Sequence, residues 1–511
     1  MEFILSVLAD IISLSNILII VAGVALGMII GCIPGLTVTM GIIIMLPLTY
    51  GFSSPTTAIV ALLAVYVGGM YGGSISAILL NTPGTNSAIA TTFDGYPLAK
   101  QGKSKLALDV SLYSSFVGGL ISSIILIASA GLISNLVSGF SSSEFFALGI
   151  LGIAMISGVS GDNIIKGIIG AMFGIFISTM GLDPVSGVSR FSFSSMLFYD
   201  GISIMPAMIA LIALIQITFQ SGSYINNLLK GNHVKAYEID NVSMTSQERR
   251  SLRTAIIKSS IISTLIGIMP GVGAEVAQFV SYNSVRNGSK TPEKFGKGAI
   301  EGISAAECSN NTVISAAMIP LLTMGIPGDG VTALLLGAFI LHGVIPGPTM
   351  FTKHATTAYG IMVGIIIANI FLFIIGKLFT RAFAKIVQVR YSYLAVLIMA
   401  FCFAGAYAAN GSSYEIILML GLFIIAYFLN KFEVSVIPIM LGMILGPIIE
   451  SNFINSMIIY DGDFLIFFKR PISLIILILT VIMTYSVIRV NKKVAQINQT
   501  AAESDQETAA E

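Results

Sequence analysis

The stretch Ile78–Pro97 reads ILLNTPGTNSAIATTFDGYP. An apolar run meets Pro83-Gly84, and small polar residues crowd the break: Asn81, Thr82, Thr85, Asn86 and Ser87. Proline has no N–H to continue a helix and glycine has no side chain to stiffen one, so the run ends there. What such a break can do depends on its solvent, and the composition names the solvent. Of 511 residues, 55% are hydrophobic and only 10% charged, with a mean hydropathy of +0.92; soluble domains carry about 25% charged residues. Apolar windows such as Ile17–Ile33, Leu106–Ile133, Ile204–Phe219 and Ile472–Ile488 are continuous and do not alternate, as transmembrane helices do and barrel strands do not. The expected fold class is therefore an all-α polytopic membrane protein of roughly 10–14 membrane segments, solvated by the lipid bilayer.

Several function classes fall away. The net charge is +1 and no basic cluster is interleaved with aromatics, so no nucleic-acid partner is expected. Cys32, Cys308 and Cys402 lack paired spacing and read as small packing residues. His233, His342 and His354 show no metal spacing, so no metal beyond Na⁺ is expected. Nor is there a phosphate loop, an HExxH or a nucleophile–base–acid set, and the chain is not expected to be an enzyme. Asp94 with Glu307 is the single conceivable intramembrane acid–base pair. GGMYGGS (Gly68–Ser74) lies in an apolar helix and reads as close helix packing. MEFILSVLAD has no basic n-region, so a removable leader is not expected.

Basic residues gather at Lys100–Lys105, Lys230–Lys258, Arg286–Lys297, Lys377–Arg390 and Arg489–Lys493. By the positive-inside rule these loops face the cytoplasm, and so does the C-terminus. The apolar Ser259–Tyr282 lies between two such loops. A re-entrant hairpin with Pro270-Gly271 at its tip satisfies both; a proline-kinked ordinary span is the alternative. The tail TAAESDQETAAE is polar and reads as disordered.

The chain also repeats itself. IIGCIPG (Ile29–Gly35, with the tip Pro34-Gly35) returns as LIGIMPG (Leu265–Gly271), and ILLNTPGT (Ile78–Thr85) returns as LLTMGIPGD (Leu321–Asp329). Loop charges send corresponding stretches through the membrane in opposite senses, the mark of inverted-topology repeats. The expected organisation is a first repeat over 1–220, a basic cytoplasmic linker over 221–258, a second repeat over 259–490 and an acidic tail over 491–511.

A helix restarted after Pro-Gly offers unpaired N–H groups and a partial positive charge, which hold anions without lysine or arginine. The carbonyls ending the previous half-helix suit Na⁺, and Asn and Thr serve either ligand. Asn81, Thr82, Pro83, Gly84, Thr85, Asn86 and Ser87 thus form one candidate half-site for substrate. Ser309, Asn310, Asn311, Thr323, Pro327 and Gly328 form the other. Packing by small polar residues is the competing reading. Asp94, Glu275, Glu307 and Asp329 are coupling-ion candidates, as ionisable residues in apolar surroundings. A cap or turn role competes for Asp94 and Asp329, an interfacial position for Glu307, and a helix-dipole role for Glu275. Arg190 and Asp183, in an outside loop, read as a structural ion pair.

Four blocks, GCIPGLTVTMGIIIMLPLTYG, YGGSISAILLNTPGTNSAIATTFDGYPLAKQGK, GLDPVSGVSRFSF and FGKGAIEGISAAECSNNTVISAAMIPLLTMGIPGDGVTALLLGAFILHGVIPGP, resemble the large membrane subunit of tripartite tricarboxylate transporters, the TctA type. The resemblance runs from about Ile17 to Tyr485. It implies a bacterial inner-membrane secondary transporter for tri- or dicarboxylates and related organic anions, coupled to Na⁺ or H⁺, with no cofactor. It also implies a small four-helix membrane subunit of the TctB type and an extracytoplasmic solute-binding protein of the TctC type. The family signature falls on Asn81, Pro83, Gly84, Thr85 and Ser87, on Asp94, Gly95, Tyr96 and Pro97, and on Glu307, Asn310, Asn311, Pro327 and Gly328. Glu275 and Asp329 depart from it, standing where a small or hydroxyl residue is expected. The expected mechanism is elevator-like alternating access; an organic-anion channel or exchanger on the same broken helices is the alternative, and homo-oligomerisation is compatible with either.

Overall fold

Two helices, α4 (Pro55–Leu80) and α14 (Ile300–Met324), set the architecture, because each is buried along nearly its whole length. The computed structural model describes residues 2–137, 139–159, 164–183, 187–193, 198–199, 201–229, 239–347, 349–386 and 391–485. Among them, seven helices are long and apolar enough to cross a membrane, and shorter apolar helices accompany them. The chain is thus a multi-pass α-helical membrane protein. It divides into two units: Met1–Gly139, Ser203–Ile268 and Gly273–Tyr427 form one, and Phe140–Ile202, Met269–Val272 and Phe428–Glu511 the other.

The first unit opens with α1 (Glu2–Ile11), α2 (Leu14–Cys32), α3 (Val38–Thr49) and α4 (Pro55–Leu80). Ser54 caps α4, its hydroxyl accepting from Thr57 N–H, and Pro55 fills the first position, where a missing N–H costs nothing. All of Thr56–Leu80 is buried. Gly27 of α2 and Gly68 of α4 let those backbones touch, as the glycine-rich sequence implied. After a break come a 3₁₀ turn (Asn86–Ala88), α5 (Ile89–Lys100) and α6 (Ser104–Val137).

The second unit holds α7 (Ser142–Val159), α8 (Ile164–Ser178) and a two-residue ribbon, β1 (Gly181–Leu182) with β2 (Ser189–Arg190), paired antiparallel. Arg190 Nη1 lies 3.4 Å from Asp183 Oδ2, the expected pair, and its guanidinium also grips both oxygens of Glu450.

Returning to the first unit, α9 (Ile204–Met208) passes through a π-helical stretch (Ile209–Leu214) into α10 (Ile215–Leu229). The first part of the basic stretch that follows, 230–238, lies outside the described residues, as does the tail 491–511. Beyond it, Asp240 accepts from Ser104 Oγ (3.1 Å) and Lys105 N–H (3.3 Å), closing the start of α6. Next come α11 (Ser246–Ser251), α12 (Arg253–Gly267) and α13 (Gly273–Asn287). The chain reverses between these last two: Ser263 Oγ lies 3.1 Å from Ser281 Oγ, and Lys258 Nζ donates to the Ser284 carbonyl. Their open ends therefore lie side by side, which is a hairpin and not a kinked span. Each arm has 15 residues, about 22 Å at 1.5 Å per residue, short of a roughly 30 Å core.

Then α14 (Ile300–Met324) runs buried from Gly302 to Thr323 and stops at a second break. After it lie α15 (Gly330–Leu341), α16 (Met350–Lys353), α17 (Ala355–Ile386), α18 (Tyr391–Asn410) and α19 (Ser413–Lys431). The order hairpin, buried helix, break, short helix, long helix thus occurs twice. Packing is reciprocal: α6 lies on α14, and α17 lies on α4. Finally α20 (Val436–Ile459), α21 (Ile466–Lys469) and an apolar helix over Pro471–Tyr485 belong to the second unit, where α20 packs on α7 and α8. Cys32, Cys308 and Cys402 are all buried, and no acidic, histidine and cysteine cluster able to hold a metal exists among the described residues.

Candidate functional site

Both breaks are built the same way. α4 ends on Asn81, in the left-handed region at φ 55°, and α14 ends on Gly325 at φ 72°. After Asn81 the chain doubles back, so that Gly84 N–H donates to the Gly73 carbonyl at 3.2 Å. Gly84 also presses on α2: a Cβ there would lie 1.9 Å from the Gly31 carbonyl oxygen. In the second break a Cβ on Gly328 would lie 2.7 Å from Ala317 Cβ and 3.3 Å from the Gly267 carbonyl oxygen. Gly31 and Gly267 hold the same place in GCIPG and GIMPG. Each break therefore rests against the arm that precedes the Pro-Gly of its own half, a junction the motifs alone did not reveal.

The restarts differ. Thr85 is extended, its hydroxyl 3.1 Å from Ser87 Oγ, and Ser87 Oγ lies 3.4 Å from Met70 Sδ. At the second break Asp329 caps α15: Oδ1 accepts from Thr332 N–H (2.8 Å) and Thr332 Oγ1 (2.7 Å), while Oδ2 accepts from Tyr66 OH (2.8 Å). The capping geometry weighed for Asp329 from sequence is the one present.

Residues of the second half reach the first break. Gln278 of α13 donates from Nε2 to the Asn86 carbonyl (3.0 Å) and accepts at Oε1 from Ala90 N–H (3.1 Å). Glu275, one turn earlier, lies near the Asn86 side chain and within the field of Asp329. Asn310 of α14 donates to the Met70 carbonyl at 3.0 Å, and its Oδ1 has no hydrogen-bond partner among the described residues. The wholly buried Asn311 has a partner on neither amide atom among the described residues. Asn81, Asn86 and Glu275 keep accessible surface.

The structure thus gathers Thr85, Asn86, Ser87, Glu275, Asn310 and Asp329 into one neighbourhood. Other candidates turn elsewhere. Thr82 Oγ1 donates to the Leu80 carbonyl (3.3 Å) and Thr323 Oγ1 to the Ile319 carbonyl (2.6 Å), each within its own helix. Ser309 accepts from Ser263 Oγ at 2.6 Å, tying α14 to the hairpin. Sequence reasoning missed Gln278, Tyr66 and Met70. A buried glutamine in an apolar arm was the available signal for Gln278, whereas Met70, which serves through its carbonyl and its thioether, left none.

Two carboxylates lie apart from the breaks. Asp94 Oδ1 accepts from the N–H groups of Gly296 (2.8 Å), Gly298 (2.9 Å) and Ala299 (2.8 Å), and Oδ2 from Tyr282 OH (2.8 Å). It closes the approach to α14, whose first N–H groups have no partner inside the helix. Glu307 is wholly buried, not interfacial; it accepts from the hydroxyls of Ser74 and Thr91 and from Ser115 Oγ at 3.1 Å.

Residues 17–441 match the model of the tripartite tricarboxylate transporter TctA family. The chain is 32% identical over 460 residues, 90% of each chain, to an Agrobacterium vitis protein described as an uncharacterized 52.8 kDa protein in the TAR-I ttuC' 3' region. It is 36% identical over 210 residues to another from the same organism, described as an uncharacterized protein in the TAR-II ttuC' 3' region; the match covers 41% of this chain and 87% of that one. No solved structure matches. Its broken helices and its hairpin are therefore those of a member of the tripartite tricarboxylate transporter TctA family, to which this chain belongs.

Proposed function

We propose that the chain is the large permease subunit of a binding-protein-dependent system, importing tri- or dicarboxylates or related organic anions on a cation gradient. The observation that carries this reading is the meeting, in one neighbourhood, of two helix restarts with amide and hydroxyl side chains and, among the described residues, with no lysine or arginine. A carboxylate of the substrate sits at the start of the Asn86–Ala88 turn and α5, where N–H groups and the helix dipole favour negative charge. Asn86, Ser87 and Asn310 orient it. Asp329 places negative charge at the other restart, which therefore takes the cationic or hydroxyl side of the ligand.

The repeated element order and the reciprocal packing of α6 on α14 and α17 on α4 support two inverted repeats. In this reading one block moves against the other while the site stays intact, in elevator fashion. Asp94, with both oxygens occupied by donors, positions the start of α14; Glu275, Glu307 and Asp329 remain the coupling candidates. The small four-helix subunit, the solute-binding protein, the bacterial inner membrane and the cytoplasmic C-terminus belong to the same proposal.

The test is uptake of a panel of organic acids by vesicles holding the complete system, in sodium and in sodium-free buffer. Accumulation above the outside concentration, lost when the cation gradient is collapsed, is expected. Passive equilibration alone would identify a channel.

A further inference from the structure

Glu307 is a buried carboxylate that the site and its scaffold leave without a task. It projects from α14 into a cage of three hydroxyls, each from a different helix: Ser74 of α4, Thr91 of α5 and Ser115 of α6. No cation pairs with it among the described residues; burial and hydroxyl groups are all that act on it. A carboxylate wholly out of water and without a counter-charge is costly to keep ionised, and hydroxyls recover only part of that cost.

The same hydroxyls serve both protonation states, because a hydroxyl donates to a carboxylate and, after rotating, accepts from a carboxylic acid. The cage is less suited to Na⁺. Sodium sites in broken-helix transporters draw on carbonyls freed by unwinding, whereas Ser74, Thr91 and Ser115 all lie in regular helix, where carbonyls are already spent.

We propose that Glu307 takes up and releases the coupling proton, so that the organic anion moves together with H⁺. This rests on the transport reading above and adds the identity of the ion and its carrier. The position suits the role. Ser74 follows Gly73, whose carbonyl holds Gly84 of the first break, and Thr91 lies in the first turn after the restart. Displacement of α5 against α4 therefore opens or closes the cage. Asn310, one turn along α14, reaches the substrate neighbourhood through Met70. Two ligands that bias the same moving element are coupled, and each strengthens the other's binding by the same factor.

The other titratable groups around Glu307 are already engaged or neutral. Tyr71 faces it from α4, and Cys308, beside it on α14, lies 3.2 Å from Ser260 Oγ of α12. Asp109 of α6 pairs with Lys105 at 3.4 Å, Asp94 of α5 has its four donors including Tyr282 of α13, and Lys258 of α12 is held by the Ser284 carbonyl.

The experiment reads the proton directly. Infrared difference spectra of the purified full chain, recorded as pH is raised, should show a protonated carboxyl band that disappears on titration and is missing in Glu307→Gln. In Ser115→Ala the midpoint should move to higher pH, because the ionised form loses a donor. In vesicles driven by a pH gradient without sodium, Glu307→Gln should lose accumulation about tenfold, within the range typical of coupling between two ligand sites, with exchange at equal pH falling far less. A band that never titrates, or that persists in Glu307→Gln, overturns the proposal. Undiminished pH-driven accumulation in that variant overturns the coupling role alone. Absence of uptake of every organic acid by the wild type sinks the transport reading, and the coupling role with it.

Discussion

Gln278 bridges two backbone groups on either side of the first helix restart: its side-chain amide donates to Asn86 and accepts from Ala90. A residue of the second half thus fixes the opening turn of a helix in the first. In Gln278→Ala the buried Ala90 N–H loses its side-chain partner, at about 1–3 kcal/mol for an unsatisfied group. The half-saturating substrate concentration should rise roughly tenfold, since 1.4 kcal/mol is a factor of ten, with membrane insertion unchanged. Uptake kinetics check this; an unaltered half-saturation constant would detach Gln278 from the site.

Gly84→Ala forces a methyl group onto a backbone carbonyl, whereas Gly328→Ala meets a methyl first. Overpacking costs about 1–3 kcal/mol, and backbone yields less than a side chain. Thermal unfolding in detergent should therefore fall in both variants and further in Gly84→Ala. The reverse order would count against the contact with Gly31.

The hairpin predicts a cross-link. With Ser263 and Ser281 hydroxyls 3.1 Å apart, the double variant Ser263→Cys/Ser281→Cys should oxidise to a disulfide within the chain. Single cysteines replacing Lys258 and Arg286 should label from one side of the membrane only. Labelling from opposite sides would restore the kinked-span alternative.

Asp94→Ala strips four donors of their acceptor, including three N–H groups ahead of α14. Asp94→Asn keeps an acceptor oxygen. Proteolysis in the Phe295–Ala299 loop should accelerate strongly in the first variant and mildly in the second. Equal resistance in both would show that the cap does not hold the loop.

Asp240 gives a pH dependence. Burial pushes its carboxyl up, but hydrogen bonds from Val242, Lys105 and Ser104 outweigh this and hold it below the usual carboxylate range. A depressed folded value means that the stabilisation is complete above the ordinary value of about 3.9 and is lost as pH falls through the folded one. Protease sensitivity of the segment around Asp240 should rise only below that ordinary value, and the acid-dependent part should vanish in Asp240→Asn.

Much of this was legible in the residues. Continuous apolar runs fix the class, and loop charge flanking Ser259–Tyr282 favours a hairpin over a kinked span. The paired Pro-Gly motifs mark both breaks. What remained hidden depends on contacts distant in sequence. Nothing in FGKGA announces that its amides need an acid from Asp94 of the other half. Ser74, Thr91 and Ser115 look like ordinary small packing residues until Glu307 comes between them. Asp329 was ambiguous because capping and ion binding ask for the same side chain at the same place.

The crossed packing of α6 on α14 and α17 on α4 has a consequence for biogenesis. Ribosomes deliver α4 long before α17 exists, so the most completely enclosed helix of the first half enters the bilayer without its final neighbour. It must wait, sheathed by lipid or by the insertion machinery, until the second half arrives. Neither half, made alone, holds the full covering that its own central helix has in the finished chain.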